Sequence, residues 1–139
     1  MQIREISLKE LDIAFELVKE LRTELEYGEF EDLIYEMRHQ EYKMFGIFEK
    51  EKLITYAGLS ILVNLYHKRH LYLYDFVTTS SLKYNGYGTK MMEYLYDYAR
   101  LRNCENFVLS SGLHRKEAHK FYEKEGFEKK SFLFLKTLS

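Results

Sequence analysis

The chain has 139 residues, of which 46% are hydrophobic and 17% aromatic, enough apolar material for the core of one domain over residues 1–139. Its 21 basic and 22 acidic side chains nearly cancel, so no strong field indicates a nucleic-acid partner. No apolar run is long enough to cross a bilayer. The single cysteine, Cys104, excludes an internal disulfide, and we expect a reducing, cytoplasmic location.

Hydrophobic periodicity predicts alternating helices and strands. Ser7, with Glu10 three residues later, has the form of a capping box, so a helix should follow a short first strand. Gly28 should end that helix, whose apolar residues recur every three or four positions up to Leu25. In the second helix, the side chains expected to point towards the core are Leu33, Ile34 and Met37. The predicted elements are a strand at 1–6, a helix from 8, a helix at 30–40, strands at 42–48, 53–62 and 71–77, a helix from 89, a strand at 106–109, a helix at 115–125 and a strand at 131–137.

The stretch at 71–98 predicts a binding site for an anionic group. Leu71–Val77 is apolar on both faces, as in a central strand, and Asp75 is its only charge. A polar loop follows, in which Gly86 and Gly88 allow a ligand to approach the backbone closely. The N-terminal amides and dipole of the next helix favour a phosphate. The structural alternative is a tight turn that only starts a helix.

Two motifs in the second half of the chain carry a resemblance to a known family. Lys83, Gly86 and Gly88 fit the pattern Arg/Gln-x-x-Gly-x-Gly/Ala, with lysine at the first position, and so resemble the glycine loop of the GNAT family of N-acetyltransferases. The P-loop and Rossmann patterns do not fit, because the loop lacks Gly-Lys-Ser/Thr and a third glycine. The family's closing motif is matched, in order and spacing, by Ala118, Phe121, Tyr122, Gly126 and Phe127. The departures from the family's pattern are Lys83, Ser80 in place of a common proline, and Arg115 in place of a common asparagine.

The resemblance implies an α/β (α+β) fold with a mixed central sheet of about six to seven strands flanked by about four helices. It also implies a splay between the fourth and fifth strands, where the pantetheine arm of acetyl-CoA pairs as a surrogate strand. The pyrophosphate of the cofactor would then lie at the glycine loop. The residues expected to bind coenzyme A are Phe76, Val77, Lys83, Tyr84, Asn85, Gly86, Tyr87, Gly88, Thr89 and Arg115.

Transfer of an acetyl group to an amine needs a proton acceptor, a donor to the oxyanion and an acid for the leaving thiolate. The resemblance implies backbone N–H groups near Phe76 and Val77 as the donors and Tyr122 as the acid. The alternative for Tyr122 is a ring that packs beside Phe121. Asp75 is the favoured base, because a lone carboxylate in an apolar strand should have a raised pKa. A carboxylate held in place by a neighbouring Arg or Tyr is the alternative for Asp75.

The histidines are weaker candidates for chemistry. His114 and His119 are further candidates for the base, although His119 is better explained as a packing residue. His67 and His70 lack a third ligand nearby, so no metal site is predicted.

The expected acceptor is the primary amine of a small cationic metabolite. Residues 20–36 contain seven acidic side chains and one basic one, Arg22, in a segment that walls the acceptor pocket in the GNAT fold. A solvated helix face is the alternative explanation of these charges. The alternative functions are acetylation of a protein or peptide amine and a non-catalytic acyl-CoA-binding sensor module. The apolar strand predicted at 131–137 lies near a sheet edge and would allow a homodimer.

Overall fold

A computed structural model describes residues 1–139 as five strands and four helices. The strands are β1 (Gln2–Ile6), β2 (Lys43–Glu49), β3 (Lys52–Asn64), β4 (Lys68–Thr78) and β5 (Asn106–Leu109). The helices are α1 (Leu11–Val18), α2 (Tyr27–Met37), α3 (Tyr87–Leu101) and α4 (Lys116–Lys124). None of the helices combines the length and the apolar composition that a membrane span requires.

The five strands form one mixed sheet in the order β1-β2-β3-β4-β5. Neighbouring strands from β1 to β4 are antiparallel, whereas β4 and β5 are parallel. The predicted hairpin between β2 and β3 is confirmed, and its turn places Lys50 at a φ of 58°. The predicted class of fold is therefore confirmed, but the predicted count of six to seven strands is wrong.

Helices cover both faces of this sheet. Met44 and Phe48 of β2 belong to a core cluster that includes buried residues of α1 and α2. Phe45, which points to the opposite face, packs its ring against Tyr94 and Tyr98 of α3 at centroid distances of 5.8 and 5.0 Å. Because successive strand residues alternate between faces, the sheet lies between α1 and α2 on one side and α3 on the other.

The first helix is shorter than predicted at both ends, because residues Leu8–Glu10 form a 3-10 turn and α1 begins only at Leu11. Ser7 and Glu10 form the predicted capping box, in which the Ser7 amide donates to Glu10 Oε1 at 3.0 Å. The helix ends at Val18, and Gly28 lies inside α2 rather than between the helices, so the predicted boundary is wrong. The apolar periodicity runs on past the end of α1 because Leu25 still packs against the core from the connection.

The inward face of α2 is partly mispredicted. Phe30 and Ile34, four residues apart, are buried, as is expected of one stripe along a helix. Leu33 points away from this stripe and is 41% exposed, so its predicted inward position is wrong.

The chain divides into two compact units, Met1–Leu109 and Ser110–Ser139. The first contains the whole sheet and α1 to α3, and the second contains α4 and the residues after it. The strand predicted at 131–137 is wrong, because the structure has no regular secondary structure there. Five large apolar side chains at 132–138 are 68–93% exposed: Phe132, Leu133, Phe134, Leu135 and Leu138.

Candidate active site

β4 and β5 pair over only part of the length of β4. Their ladder joins His70–Leu73 to Asn106–Leu109, whereas β4 continues to Thr78. The ladder ends at the pair Leu73 and Leu109, where β5 itself ends, so β4 continues beyond Leu73 without a paired β5 residue, as a splay between the fourth and fifth strands requires. The end of β4 beyond this point, Tyr74–Thr78, contains both predicted oxyanion donors and the predicted base.

A β-bulge lies where the strands separate. Leu73 pairs with Leu59 of β3 and Asp75 pairs with Gly58, so Tyr74 is an extra residue on β4. Because the bulge breaks the alternation of faces, two consecutive residues, Tyr74 and Asp75, both contact Tyr42. The Tyr74 and Tyr42 rings lie 5.6 Å apart between centroids, and the Tyr42 hydroxyl donates to Asp75 Oδ2 at 2.7 Å.

Asp75 is held by hydrogen bonds on both of its carboxylate oxygens. Arg22 donates to Oδ1 from Nη2 at 2.7 Å and from Nε at 3.0 Å, and the same Nη2 donates to the carbonyl of Tyr74 at 2.8 Å. Arg22 and Tyr42 both contact the carboxylate, so the contacts expected from the alternative, a carboxylate held by a neighbouring Arg or Tyr, are present. The catalytic role of Asp75 stays a prediction.

Two buried tyrosines extend this network into the core. The hydroxyls of Tyr42 and Tyr56 lie 2.9 Å apart, and because Tyr42 donates its proton to Asp75, Tyr56 must donate to Tyr42. Burial raises the pKa of both tyrosines well above the ordinary value, and the nearby Asp75 carboxylate raises it further. Both hydroxyls therefore stay protonated and keep donating towards Asp75 across the physiological pH range.

Gly58 makes the contact between Tyr42 and Asp75 possible. A Cβ atom at Gly58 would overlap the hydroxyl and ring of Tyr42. The absence of a side chain therefore lets the Tyr42 ring cross over β3 and reach Asp75 on β4.

The loop after β4 has the geometry of an anion site. Gly86 precedes α3 at a φ of 83°, in the left-handed region that favours glycine, and an added Cβ would meet no atom within 4 Å. The Lys90 amide is bonded to the Gly86 carbonyl at 3.1 Å, so α3 starts directly at the glycines. The first amides of a helix carry the positive end of its dipole. These features fit a phosphate group at residues 84–89, where six of the predicted cofactor residues lie.

Two of these predicted cofactor residues, Asn85 and Tyr87, have side-chain hydrogen-bond partners within the protein. The Asn85 side chain donates to the carbonyls of Leu82 and Lys83 at 3.3 and 3.4 Å and so stabilises the turn before α3. The Tyr87 hydroxyl donates to Glu49 Oε2 at 2.6 Å. Tyr84 adopts a φ of 68° and is 86% exposed.

In the second unit, the closing motif fixes the position of Tyr122 on α4. Gly126 adopts a φ of 96°, its amide donates to Glu123 O at 3.0 Å, and the Phe127 amide donates to Tyr122 O at 2.9 Å. These two bonds form a Schellman motif, which ends the helix. The Phe127 ring then packs edge-on against Tyr122 at 5.8 Å between centroids.

The Tyr122 hydroxyl is buried beside a cation. Burial raises its pKa, and the Arg115 guanidinium next to it lowers the pKa and offsets part of that rise. Phe121 also packs edge-on against the Tyr122 ring, so the packing predicted as the alternative role is present. Packing of the ring does not exclude proton donation by the hydroxyl, and the acid role of Tyr122 stays a prediction.

The remaining candidates make structural contacts. His119 Nε2 lies 2.8 Å from Gly112 O and must donate to it, because a carbonyl only accepts. His70 is buried with Nδ1 2.8 Å from Lys68 O. No group of three or more His, Cys, Asp or Glu side chains could hold a metal ion. Burial raises the pKa of the Cys104 thiol, which therefore stays protonated at neutral pH.

Sequence reasoning named an Arg or a Tyr as a possible partner of Asp75 but did not identify which residues of the chain these would be. Arg22 precedes Asp75 by 53 residues and Tyr42 precedes it by 33, so no local pattern relates them. The one signal was that Arg22 is the single basic residue in the acidic segment 20–36. Glu20 in the same segment was also missed; it accepts from the Ser80 amide at 3.1 Å and from the Thr79 hydroxyl at 3.4 Å.

Comparison with known proteins agrees with this geometry. The profile of the Acetyltransferase (GNAT) family matches residues 6–127. The uncharacterized N-acetyltransferase YhdJ of Bacillus subtilis is 34% identical over 127 residues, which cover 90% of this chain and 89% of YhdJ. Aminoalkylphosphonate N-acetyltransferase of Salmonella typhimurium is 23% identical over 144 residues, covering 99% of this chain and 91% of that enzyme.

A solved structure shows the same fold. Aminoglycoside N-acetyltransferase AAC(6')-Iy, in complex with CoA, matches with a TM-score of 0.86 at 14% identity, covering 99% of this chain and 93% of that chain. The family profile spans nearly the whole chain, and both sequence relatives are N-acetyltransferases. The chain therefore belongs to the acetyltransferase (GNAT) family, as its glycine loop and its closing motif predicted.

Proposed function

We propose that this acetyltransferase transfers the acetyl group of acetyl-CoA to the primary amine of a small cationic metabolite, by direct attack in a ternary complex. The observation that carries the proposal is the end of β4. There the strand parts from β5, bulges at Tyr74 and leads into a glycine loop and the start of α3.

The cofactor site is proposed along this path. When bound, acetyl-CoA supplies an acetyl thioester that an amine can attack. The amides at residues 84–89 would bind its pyrophosphate, with Lys83 adding a positive charge. The backbone of β4 beyond Leu73 would pair with its pantetheine arm, because β5 does not continue beside it. Arg115 is the remaining proposed contact with the cofactor.

The catalytic groups are proposed from three places in the chain. The N–H groups of Phe76 and Val77 would donate to the acyl oxygen. The Tyr122 hydroxyl would donate its proton to the thiol sulfur, a role supported by a pKa that burial keeps above the ordinary value for tyrosine. Asp75 would take the proton of the attacking amine, directly or through water.

Asp75 keeps the capacity for this role despite its partners. Its Oδ1 accepts two bonds from Arg22, and its Oδ2 accepts one bond from Tyr42. A carboxylate oxygen has two lone-pair positions, so Oδ2 can accept one further proton donor. Asp75→Asn tests the role. If Asp75 is the base, the rate of Asp75→Asn should no longer rise with increasing pH. If Asp75 only holds the bulge, the variant should be slower than the parent protein, but its pH profile should keep the same shape.

A cationic acceptor is proposed because the connection between α1 and α2 lies against the end of β4. Hydrogen bonds from Arg22 to Asp75 and from Ser80 to Glu20 join the two segments. The connection also carries Glu24 and Glu26, which are exposed and would attract an ammonium group. Replacing both by Gln should raise KM for a cationic amine and leave the affinity for acetyl-CoA unchanged.

A second copy of the chain is the proposed partner of the exposed segment 132–138. Four exposed phenylalanine rings in two copies would bury roughly 600–1,000 Å² by themselves, and the leucines add to this. Stable dimers bury about 1,200–2,000 Å² in total, so the two segments supply a large share of such an interface. Light scattering after gel filtration should give twice the chain mass, and Phe134→Asp should give the chain mass. A monomeric parent protein would contradict this proposal.

The proposed function is tested by calorimetry with acetyl-CoA, followed by a thiol-release assay on the same sample. The panel of acceptors contains polyamines, amino sugars, aminoalkylphosphonates and peptide amines. Thiol release with a small cationic amine supports the proposal, and release only with peptide amines favours the protein acetyltransferase. Cofactor binding without release from any class favours the sensor module, and absence of binding refutes the cofactor site.

A further inference from the structure

The connection between α1 and α2, residues 19–26, is hydrogen-bonded at two points, to β4 and to the loop that follows it. Arg22 binds the Tyr74 carbonyl and the Asp75 carboxylate, with distances of 2.7–3.0 Å. Glu20 accepts from the Ser80 amide and the Thr79 hydroxyl. Phe76 and Val77, the proposed oxyanion donors, lie between these two points along the chain.

Arg22 is itself held in place by backbone bonds. Its amide donates to Val18 O at 2.9 Å, and its carbonyl accepts from the Leu25 amide at 3.1 Å. The connection therefore continues from α1 as a series of hydrogen-bonded turns. Since α1 packs on β3 and β4, the guanidinium reaches the bulge from a fixed base.

The bulge explains why an arginine suits this position. A bulge takes the backbone of the extra residue out of the regular ladder, so the Tyr74 carbonyl benefits from a donor outside the sheet. The planar guanidinium donates to that carbonyl and to Asp75 at once. A lysine presents a single ammonium on a flexible stem and cannot reproduce this fork.

The pairing with β3 constrains only one side of this part of β4. Phe76 pairs with Ala57 and Val77 pairs with Tyr56 in the antiparallel ladder. Arg22 and Glu20 add constraints from the face that α1 covers, at the two ends of the segment 74–80.

We propose that Arg22 and Glu20 are positioning residues that hold segment 74–80, and with it the amides of Phe76 and Val77, in the geometry that acetyl transfer needs. The inference rests on the proposed function, because it assigns those amides to the acyl oxygen. It also joins the proposed acceptor wall to the acyl site, so that both move as one piece. Neither side chain has to touch a reacting atom.

The test uses Arg22→Ala, Arg22→Lys and Glu20→Ala in the full chain. Two exposed residues of α3 provide matched controls, Arg100→Ala and Glu93→Ala. Three quantities are measured for each variant: kcat with the best amine of the panel, the Kd of acetyl-CoA by calorimetry, and backbone hydrogen exchange in peptides that cover 74–80.

We expect kcat to fall at least about tenfold in both Arg22 variants, while the Kd of acetyl-CoA changes less than about threefold. Exchange in 74–80 should accelerate by about tenfold or more. Added guanidinium should restore part of the rate of Arg22→Ala. Glu20→Ala should show the same pattern with smaller changes, and both controls should match the parent protein.

Three results would overturn the inference. One is a kcat of the Arg22 variants equal to that of the controls. Another is unchanged exchange in 74–80, and the third is faster exchange without loss of kcat, which would leave Arg22 a structural role only. If the parent protein acetylates no amine, the proposed function fails separately. Hydrogen exchange alone then tests whether Arg22 and Glu20 hold segment 74–80. Faster exchange in the variants supports this role, and unchanged exchange refutes it.

Discussion

Gly58→Ala should strongly destabilise the protein, because the new methyl group would occupy the position of the Tyr42 hydroxyl. The displaced ring would lose its bond to the charged Asp75 at 2.7 Å and its bond to Tyr56 at 2.9 Å. Loss of a bond to a charged group costs about 1.5–3 kcal/mol, and overpacking a core costs about 1–3 kcal/mol more. The free energy of unfolding should therefore fall by about 3–5 kcal/mol, out of a total of about 5–15 kcal/mol for a typical domain.

Urea unfolding followed by circular dichroism measures this change. Gly28→Ala is the matched control, because Gly28 lies in α2 with no atom within 4 Å of an added Cβ. Replacing this helical glycine by alanine should raise the free energy of unfolding by about 0.5–1 kcal/mol.

A double-mutant cycle with Tyr42→Phe separates the two causes. Both single variants lose the same hydrogen bonds, so the double variant should be about 1.5–3 kcal/mol more stable than additivity predicts. A cost of Gly58→Ala below about 1 kcal/mol, or strict additivity with Tyr42→Phe, would refute the reasoning.

Two further predictions concern pH and catalysis. The Arg4 guanidinium and the Ser7 amide bond to Glu10 and lower its pKa from 4.5 to about 2. The folded-state pKa is depressed, so this stabilisation is complete above pH 4.5 and is lost as the pH falls towards 2. This stabilisation amounts to at most about 3 kcal/mol. Glu10→Gln should therefore flatten the dependence of the urea midpoint on pH between 5 and 2. An unchanged slope would rule out the Glu10 carboxylate as the source of that dependence. Tyr122→Phe should lower kcat by about 100-fold with an unchanged Kd for acetyl-CoA, whereas the exposed Tyr66→Phe should match the parent; equal rates for both would exclude Tyr122 as the acid.

Local signals predicted most of the fold. The capping box at Ser7 and Glu10 and the strand Asn106–Leu109 depend on residues close in sequence, and both are confirmed. The closing motif at Gly126 was recognised by its resemblance to the GNAT family, and in the structure its glycine belongs to a Schellman motif of six consecutive residues. Signals of this kind depend on backbone geometry that neighbouring residues determine.

The support of Asp75 could not be predicted from the sequence. It depends on a bulge that redirects Tyr74 and Asp75, and on a glycine that lets Tyr42 cross over β3. Neither event has a signature in one sequence, because a slip of one residue in register leaves the apolar pattern of a central strand unchanged. Burial of the Leu71–Val77 stretch was inferred correctly only for Leu71 and Leu73, because Tyr72 and the residues from Tyr74 to Val77 are half-buried. Which charged group would approach Asp75 was not inferred.

The prediction of a strand at 131–137 was wrong for a different reason. Its apolar residues are typical of a strand, but a strand also needs a neighbour that accepts and donates its backbone hydrogen bonds. The apolar pattern describes only the side chains. It could not show that residues 131–137 lack a neighbouring strand in the sheet with which to pair.

The central claim is that the start of α3 binds the pyrophosphate of acetyl-CoA, and the pair Gly86→Asn and Gly86→Asp tests it most directly. Asn and Asp have the same shape, and both tolerate the positive φ at this position better than other residues. The two variants therefore differ in one negative charge. We expect the Kd of acetyl-CoA, measured by calorimetry, to be at least about tenfold weaker for Gly86→Asp than for Gly86→Asn, a difference of about 1.4 kcal/mol. Equal affinities of the two variants would contradict the account.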